Sequence, residues 1–165
     1  MAQIYISLGS NIDREHYVEK GLLSLAKAFD LPFKQLTLSS LFESEAIGFN
    51  GAAFYNMVIG ITCSHSVEQV ASILRAIEFS HGRDHSAKKF SPRSLDLDLL
   101  LYDDLIIDSP AQLPRDEITK NAFVLWPLSE IAPELNHPIS KQNYRDLWYR
   151  YNKTSQQLSI VANCW

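Results

Sequence analysis

Cysteine is scarce in this 165-residue chain, which has two cysteines, six glycines and seven prolines. Cys63 and Cys164 can form neither a disulfide framework nor a cysteine zinc site. The few glycines and prolines lie in no low-complexity tract, so a disordered or fibrous chain is excluded on composition. Basic excess is missing too: 15 Lys and Arg against 19 Asp and Glu give a formal net charge of -4. A surface that tracks nucleic-acid phosphates usually shows as an excess of positive charge, so no nucleic-acid partner is expected. No apolar run reaches the ~18 residues needed to span a bilayer, so no membrane partner is expected either. The opening Met-Ala-Gln-Ile-Tyr-Ile-Ser-Leu has no basic stretch ahead of its apolar residues, and the expected location is cytoplasmic. No G-x-x-x-x-G-K-[ST] or G-x-G-x-x-G phosphate loop occurs, and Leu8-Gly9-Ser10-Asn11 is not a nucleophile elbow. The histidines at 16, 65, 81, 85 and 137 show no zinc spacing.

What is there is a soluble globular pattern, 46% hydrophobic and 21% charged, about the length of one domain. Ile4, Ile6 and Leu8 alternate with polar neighbours, the period of a strand with one buried face, and the run stops at a turn over Gly9-Ser10-Asn11. From about Arg14, positions 17, 18, 21, 22, 25 and 29 recur at helical spacing, with Asp13 as N-cap and Asp30 and Pro32 at the end. Residues 33–42 and 54–62 read as strands joined by a long loop with Gly48, Asn50 and Gly51. Ser66 and Gln69 form a capping box ahead of the stripe Val67, Val70, Ala71, Leu74 and Ile77, which ends before Gly82. A polar connector leads to a fourth strand over 95–102, with Asp103-Asp104 as the following turn. The order β-α-β-β-α-β predicts an α+β, ferredoxin-like antiparallel sheet with two helices on one face. Pro127 near the start of 128–132, and the aromatic-rich stretch 144–151, predict extra C-terminal short helices. All of 1–165 reads as one domain.

The segment Ser91-Pro92-Arg93-Ser94-Leu95-Asp96-Leu97-Asp98 carries the most chemistry. Residues two apart on a strand share a face, so Asp96 and Asp98 present two carboxylates together while Leu95, Leu97 and Leu99 enter the core. A bare Asp-x-Asp is most often a solvated strand face. Asp is disfavoured in strands, however, and these two stand in the most apolar stretch of the chain. A pair of like charges about 7 Å apart calls for a cation between them, and Mg²⁺ takes one or two carboxylates together with substrate phosphates. The preceding loop, 81–93, holds Arg83, Lys88, Lys89 and Arg93 against the single acid Asp84. Basic groups beside a metal site fit phosphoryl transfer, where catalysis is mostly positioning and charge neutralisation.

These residues resemble a known family. Leu8-Gly9-Ser10-Asn11, Arg93-Ser94-Leu95-Asp96-Leu97-Asp98 and Phe123-Val124-Leu125-Trp126-Pro127-Leu128, with Glu130-Ile131-Ala132-Pro133-Glu134-Leu135, look like 6-hydroxymethyl-7,8-dihydropterin pyrophosphokinase, over about residues 3–136. The resemblance implies an enzyme of folate biosynthesis that transfers pyrophosphate from ATP to a pterin alcohol and leaves AMP. It implies that Asp96 and Asp98 hold two Mg²⁺ ions, and that Glu78, Arg83, His85, Arg93 and Leu99 lie at ATP-contacting positions, with Arg83 and Arg93 catalytic. It implies a pterin pocket of Phe54, Asn56 and Phe123, completed by the backbone at Ser44 and Ile47, with loops 43–53 and 81–92 closing over the site. It leans towards a monomer. Where the family usually has P-H-Y this chain has Pro114-Arg115-Asp116, and Asn121 stands where an arginine is customary. Arg115 is the expected replacement on the ATP side. Two other readings stay open: a divergent paralogue that binds pterin or nucleotide with little transfer, and a metal-dependent phosphoryl hydrolase that would leave the aromatic pocket unexplained.

Overall fold

The computed structural model describes residues 1–44, 53–82 and 94–165. Strand β1 (Ala2–Ser10) lies inside the sheet. It pairs antiparallel with β4 (Phe54–Cys63) on one side and with β5 (Asp96–Tyr102) on the other. Strands β2 (Thr37–Leu38) and β3 (Leu41–Ser44) both pair with β4, and β6 (Leu158–Val161) pairs with β3. Among the described residues the order is β5-β1-β4-β3-β6, with β2 also on β4. Without β2 and β6 this is the antiparallel split-βαβ plan expected from the sequence.

Helices α1 (Arg14–Ala28) and α2 (Val67–Ser80) cover one face. Their residues Val18, Leu22, Leu25, Val70, Leu74 and Ile77 meet Ile4, Ile6, Leu8, Met57, Ile59, Leu97 and Leu99 of the sheet. The period-two pattern of β1 and the helical stripes thus bury against each other, each fully enclosed aliphatic side chain contributing about 1.5–3 kcal/mol. Gly21 lets α1 approach closely: a Cβ there would stand 2.9 Å from Leu95 Cδ1 and 3.0 Å from Leu8 Cδ1. Three further helices, α3 (Glu117–Lys120), α4 (Ala122–Ile131) and α5 (Tyr144–Arg150), lie beyond β5 in the chain. A second core on the opposite face joins Val124, Leu125 and Leu128 of α4 to Val58, Leu100, Leu101 and Tyr144.

Several local expectations change. The strand expected over 33–42 is split into a single 3-10 turn (Phe33–Gln35), β2 and β3. At the break, buried Ser39 bonds β4 with its side chain as well as its backbone: its N–H donates to Val58 O, and its Oγ accepts from Val58 N at 2.9 Å. Gly9 and Ser10 continue β1 rather than turning, paired with Asn56 and Tyr55. Asp13 occupies the N-cap position at φ 46° without a side-chain cap bond, because left-handed backbone aims the carboxylate away from the first helical amides. The capping box at Ser66 and Gln69 is present in both halves. Helix α4 begins at Ala122 and carries Pro127 in its interior, instead of starting near it. The register of β5 on β1 shifts between Tyr5 and Ile6, so Leu100 and Leu101 both reach the second core.

Candidate active site

Asp96 on β5 pairs with Gly9 on β1, Gly9 pairs with Asn56 on β4, and Asn56 with Phe42 on β3. One transverse row of the sheet therefore carries the first carboxylate, a residue without a side chain, a carboxamide and an aromatic ring. In the next row Asp98 pairs with Ser7, and Ser7 with Val58. Val58 belongs to the core that α4 and α5 close, so the site row lies just beyond that cover. Gly9 makes the row usable: a Cβ there would lie 3.2 Å from Asn56 Oδ1 and 3.6 Å from Phe54 Cδ1. The missing side chain lets Asn56 and Phe54 approach β1 closely.

Asn56 is buried, and its Nδ2 donates to Ser44 Oγ at 2.7 Å. That bond aims the amide nitrogen at β3 and leaves the oxygen over Gly9. Phe54 lies two residues before Asn56 on the same strand face. Phe123, the second residue of α4, packs half-buried against the second core. The structure thus brings Phe54, Asn56 and Ser44 together.

On the β5 side, burial and then the Asp96 charge push the Asp98 carboxyl up to about 7; Arg115 works the other way, and Glu117 and Glu78 add to the rise. Arg115 Nη2 is 3.5 Å from Asp98 Oδ1 and 2.9 Å from Glu117 Oε1, and the Arg115 N–H donates to Leu100 O. Burial disfavours the guanidinium charge, but Asp98 and Glu117 outweigh it and hold Arg115 above its ordinary value. Arg115 Nε is buried without a hydrogen-bond partner among the described residues. Four carboxylates thus act on one another here with one described guanidinium among them. Two carboxylates side by side on β5 suit a hard divalent cation. Among the described residues no group of three or more His, Cys, Asp or Glu is arranged to hold an ion alone. Two carboxylates completed by phosphate oxygens is the coordination Mg²⁺ commonly takes.

Glu78 of α2 does not share that face: its Oε2 accepts from the Leu97 N–H at 2.8 Å and braces the outer edge of β5 between the two aspartates. Leu99 is buried in the first core, on the face opposite the carboxylates. Ile47, Arg83, His85 and Arg93 lie outside the described residues. Glu117 was not anticipated from sequence; its one signal is an acid two residues from Arg115 at the start of a short helix. Asn121 bonds Glu117 through Nδ2 and accepts from Gln156 Nε2.

The family model for 7,8-dihydro-6-hydroxymethylpterin-pyrophosphokinase (HPPK) matches residues 5–133. The chain belongs to this family. The pyrophosphokinase match takes in Gly9, Asn56, Asp96 and Asp98 and ends two residues after α4. The 2-amino-4-hydroxy-6-hydroxymethyldihydropteridine pyrophosphokinase of Aquifex aeolicus is 32% identical over 149 residues, 88% of this chain and 90% of that protein. The folic acid synthesis protein fol1 of Pneumocystis carinii is 35% identical over 139 residues, 83% of this chain but 18% of that longer protein. A solved HPPK-DHPS structure from Plasmodium falciparum shares the fold at TM-score 0.66 and 13% identity, over 92% of this chain and 44% of that one. This pyrophosphokinase-family chain thus spans less than half the length of that solved relative.

Proposed function

We infer that this protein transfers the pyrophosphate group of ATP to 6-hydroxymethyl-7,8-dihydropterin in folate synthesis, releasing AMP. The observation that supports the pairing of these substrates is the single sheet row in which Asp96, Gly9 and Asn56 stand side by side. A flat heteroaromatic needs apolar faces and a few in-plane polar partners. Asn56, oriented by Ser44, serves the pterin edge, with the Ser44 and Ile47 backbone beside it. Phe54 and Phe123 serve the ring faces, and Gly9 gives Asn56 the room to take its position. Asp96 and Asp98 would hold Mg²⁺, two ions on the family pattern. Bound there, the metal neutralises phosphate charge and lowers the pKa of the attacking hydroxyl.

The pterin hydroxymethyl oxygen attacks the β-phosphorus. The bond from that phosphorus to the α,β-bridging oxygen breaks, and the hydroxyl proton passes to solvent. Arg83, Arg93 and Arg115 stabilise the charge on the transferred group and on AMP. Glu78 and His85 complete the nucleotide side, Glu78 by keeping β5 in place, while Leu99 anchors β5 in the first core behind it. The working unit in this reading is a single-domain cytoplasmic monomer that uses ATP and a pterin and no nucleic acid. No described helix is long and apolar enough to cross a membrane.

The test is to incubate the protein with Mg²⁺, ATP and the pterin alcohol and to follow AMP. Pterin-dependent AMP is the expected result. Pterin binding without AMP would replace this reading with that of a binding protein, and phosphate release without pterin with that of a hydrolase.

A further inference from the structure

A series of polar contacts runs from the segment between α5 and β6 to the β5 carboxylates. Gln156 Oε1 accepts from the Ala122 N–H at the start of α4, at 2.7 Å, and its Nε2 donates to Asn121 Oδ1 at 3.0 Å. Asn121 Nδ2 donates to Glu117 Oε2 at 3.3 Å. Glu117 Oε1 accepts from Arg115 Nη2 at 2.9 Å, and that nitrogen stands 3.5 Å from Asp98 Oδ1. The direction of each link is forced. A backbone N–H can only donate, so the Gln156 oxygen belongs at Ala122 and its NH₂ at Asn121. The Asn121 oxygen then faces Gln156, which leaves its NH₂ for the Glu117 carboxylate. The segment itself is held on both sides, by the Tyr151 hydroxyl donating to Lys120 O at 2.8 Å and by β6 pairing with β3.

The distances show what the series does for the site. Arg115 lies closer to Glu117 than to Asp98, so Glu117 keeps the guanidinium from closing fully on the carboxylate. Without Asn121 on its second oxygen, Glu117 is free to swing, and the guanidinium closes on Asp98 and occupies the group a cation needs. We propose that Gln156 is a positioning residue for pyrophosphate transfer, acting through Asn121 and Glu117 to hold Arg115 beside, and not on, Asp98. The proposal rests on the pyrophosphokinase reading above. It also gives Asn121 a role unlike that of the arginine customary at its position: it sets the placement of Arg115.

Gln156→Glu is the discriminating variant. It keeps an oxygen for the Ala122 N–H, so the start of α4 stays capped, but it removes the donor to Asn121. The expected result is a fall in kcat of about tenfold, the size usual for loss of a group that orients a ligand from behind. KM for the pterin should stay within about twofold and Tm should be unchanged. Asn121→Ala should give a similar loss, and the double variant should lose no more than the larger single one, because both act along one series. An undiminished kcat in Gln156→Glu, or losses that multiply in the double variant, would overturn the proposal. So would a kcat loss that merely follows a lowered Tm.

A readout without substrates separates this from the function itself. Arg115 Nε is buried, so its N–H should give a solvent-protected side-chain resonance in ¹⁵N-labelled protein. Gln156→Glu should shift that resonance and speed its exchange, whereas Gln157→Glu at the exposed neighbouring position should leave it alone. If the resonance responds but the wild-type protein releases no AMP with pterin, the positioning stands and the function reading falls. If the wild-type protein transfers pyrophosphate and Gln156→Glu moves neither kcat nor the resonance, the positioning falls and the function stands.

Discussion

Replacing Asp98 with asparagine should make the metal-free protein more stable while abolishing transfer. The Asp98 carboxyl is raised from 3.8 to about 7, first by burial and then by Asp96. The native state therefore keeps a proton that the unfolded chain has released between about pH 4 and 7. Over that window the unfolded state binds fewer protons, so stability falls as pH rises, and it levels off above the folded value. At about 1.4 kcal/mol per pH unit, the ionised form costs the metal-free fold up to about 4 kcal/mol at pH 8. The Asp98 side chain is 26% exposed. Solvent screening therefore reduces the expected figure to on the order of 2 kcal/mol. Asparagine has the same shape and no charge to lose. Urea unfolding in EDTA should show Asp98→Asn more stable than wild type by roughly that 2 kcal/mol at pH 8, and by less than about 1 kcal/mol at pH 5. Adding Mg²⁺ with a non-transferable ATP analogue should raise the midpoint of the wild type and leave the variant unmoved. Equal or lower stability of the variant at pH 8, or equal stabilisation of both by Mg²⁺ and analogue, would refute the argument that this carboxylate is strained until a cation arrives.

Gly9→Ala places a methyl group 3.2 Å from Asn56 Oδ1; calorimetry should show pterin affinity down about tenfold, since Asn56 must give way, with Mg·nucleotide affinity unchanged. Arg115→Met removes the one described cation that lowers the Asp98 pKa; the midpoint of Mg·nucleotide-analogue binding against pH should move upward, and no movement would show that Arg115 does not reach Asp98 in solution. Gly21→Val adds bulk where even a Cβ would press on Leu95 and Leu8; thermal or urea unfolding should show a loss of about 2 kcal/mol, within the usual cost of overpacking.

Much of this was legible where a signal is local. The alternation of Ile4, Ile6 and Leu8, the stripe from Val67 to Ile77 and the Ser66–Gln69 box each reflect one element's own geometry, and each appears in the fold. Asp96 and Asp98 could be read as a pair because strand period alone puts them on one face. What escaped depends on partners far away in the chain. The break at Ser39 exists because its hydroxyl bonds Val58. β6 exists because β3 offers it an edge, and its four residues carry little pattern of their own. The approach of Arg115, Glu117, Asn121 and Gln156 needs α3, α4 and the segment before β6 to meet. Gly9 was visible in a motif, yet the need for a residue without a side chain there appears only once Asn56 is placed across from it. The bulge near Leu100 hid in a run of leucines that satisfies either face.

The position of β5 at the rim of the sheet has a consequence for how such a protein can diverge. Of the groups assigned to the pterin, Gly9, Phe54 and Asn56 stand on β1 and β4, strands paired along both flanks, where altering one backbone disturbs two neighbours. The carboxylates stand on a border strand whose outer flank is braced by a side chain, Glu78, instead of by another described strand. Short helices and the segment before β6 complete that border. Drift there rewrites how the phosphates are handled while leaving untouched the interior that recognises the ring. Arg115 and Asn121, two of the places where this chain departs from the family's usual pattern, both belong to the border.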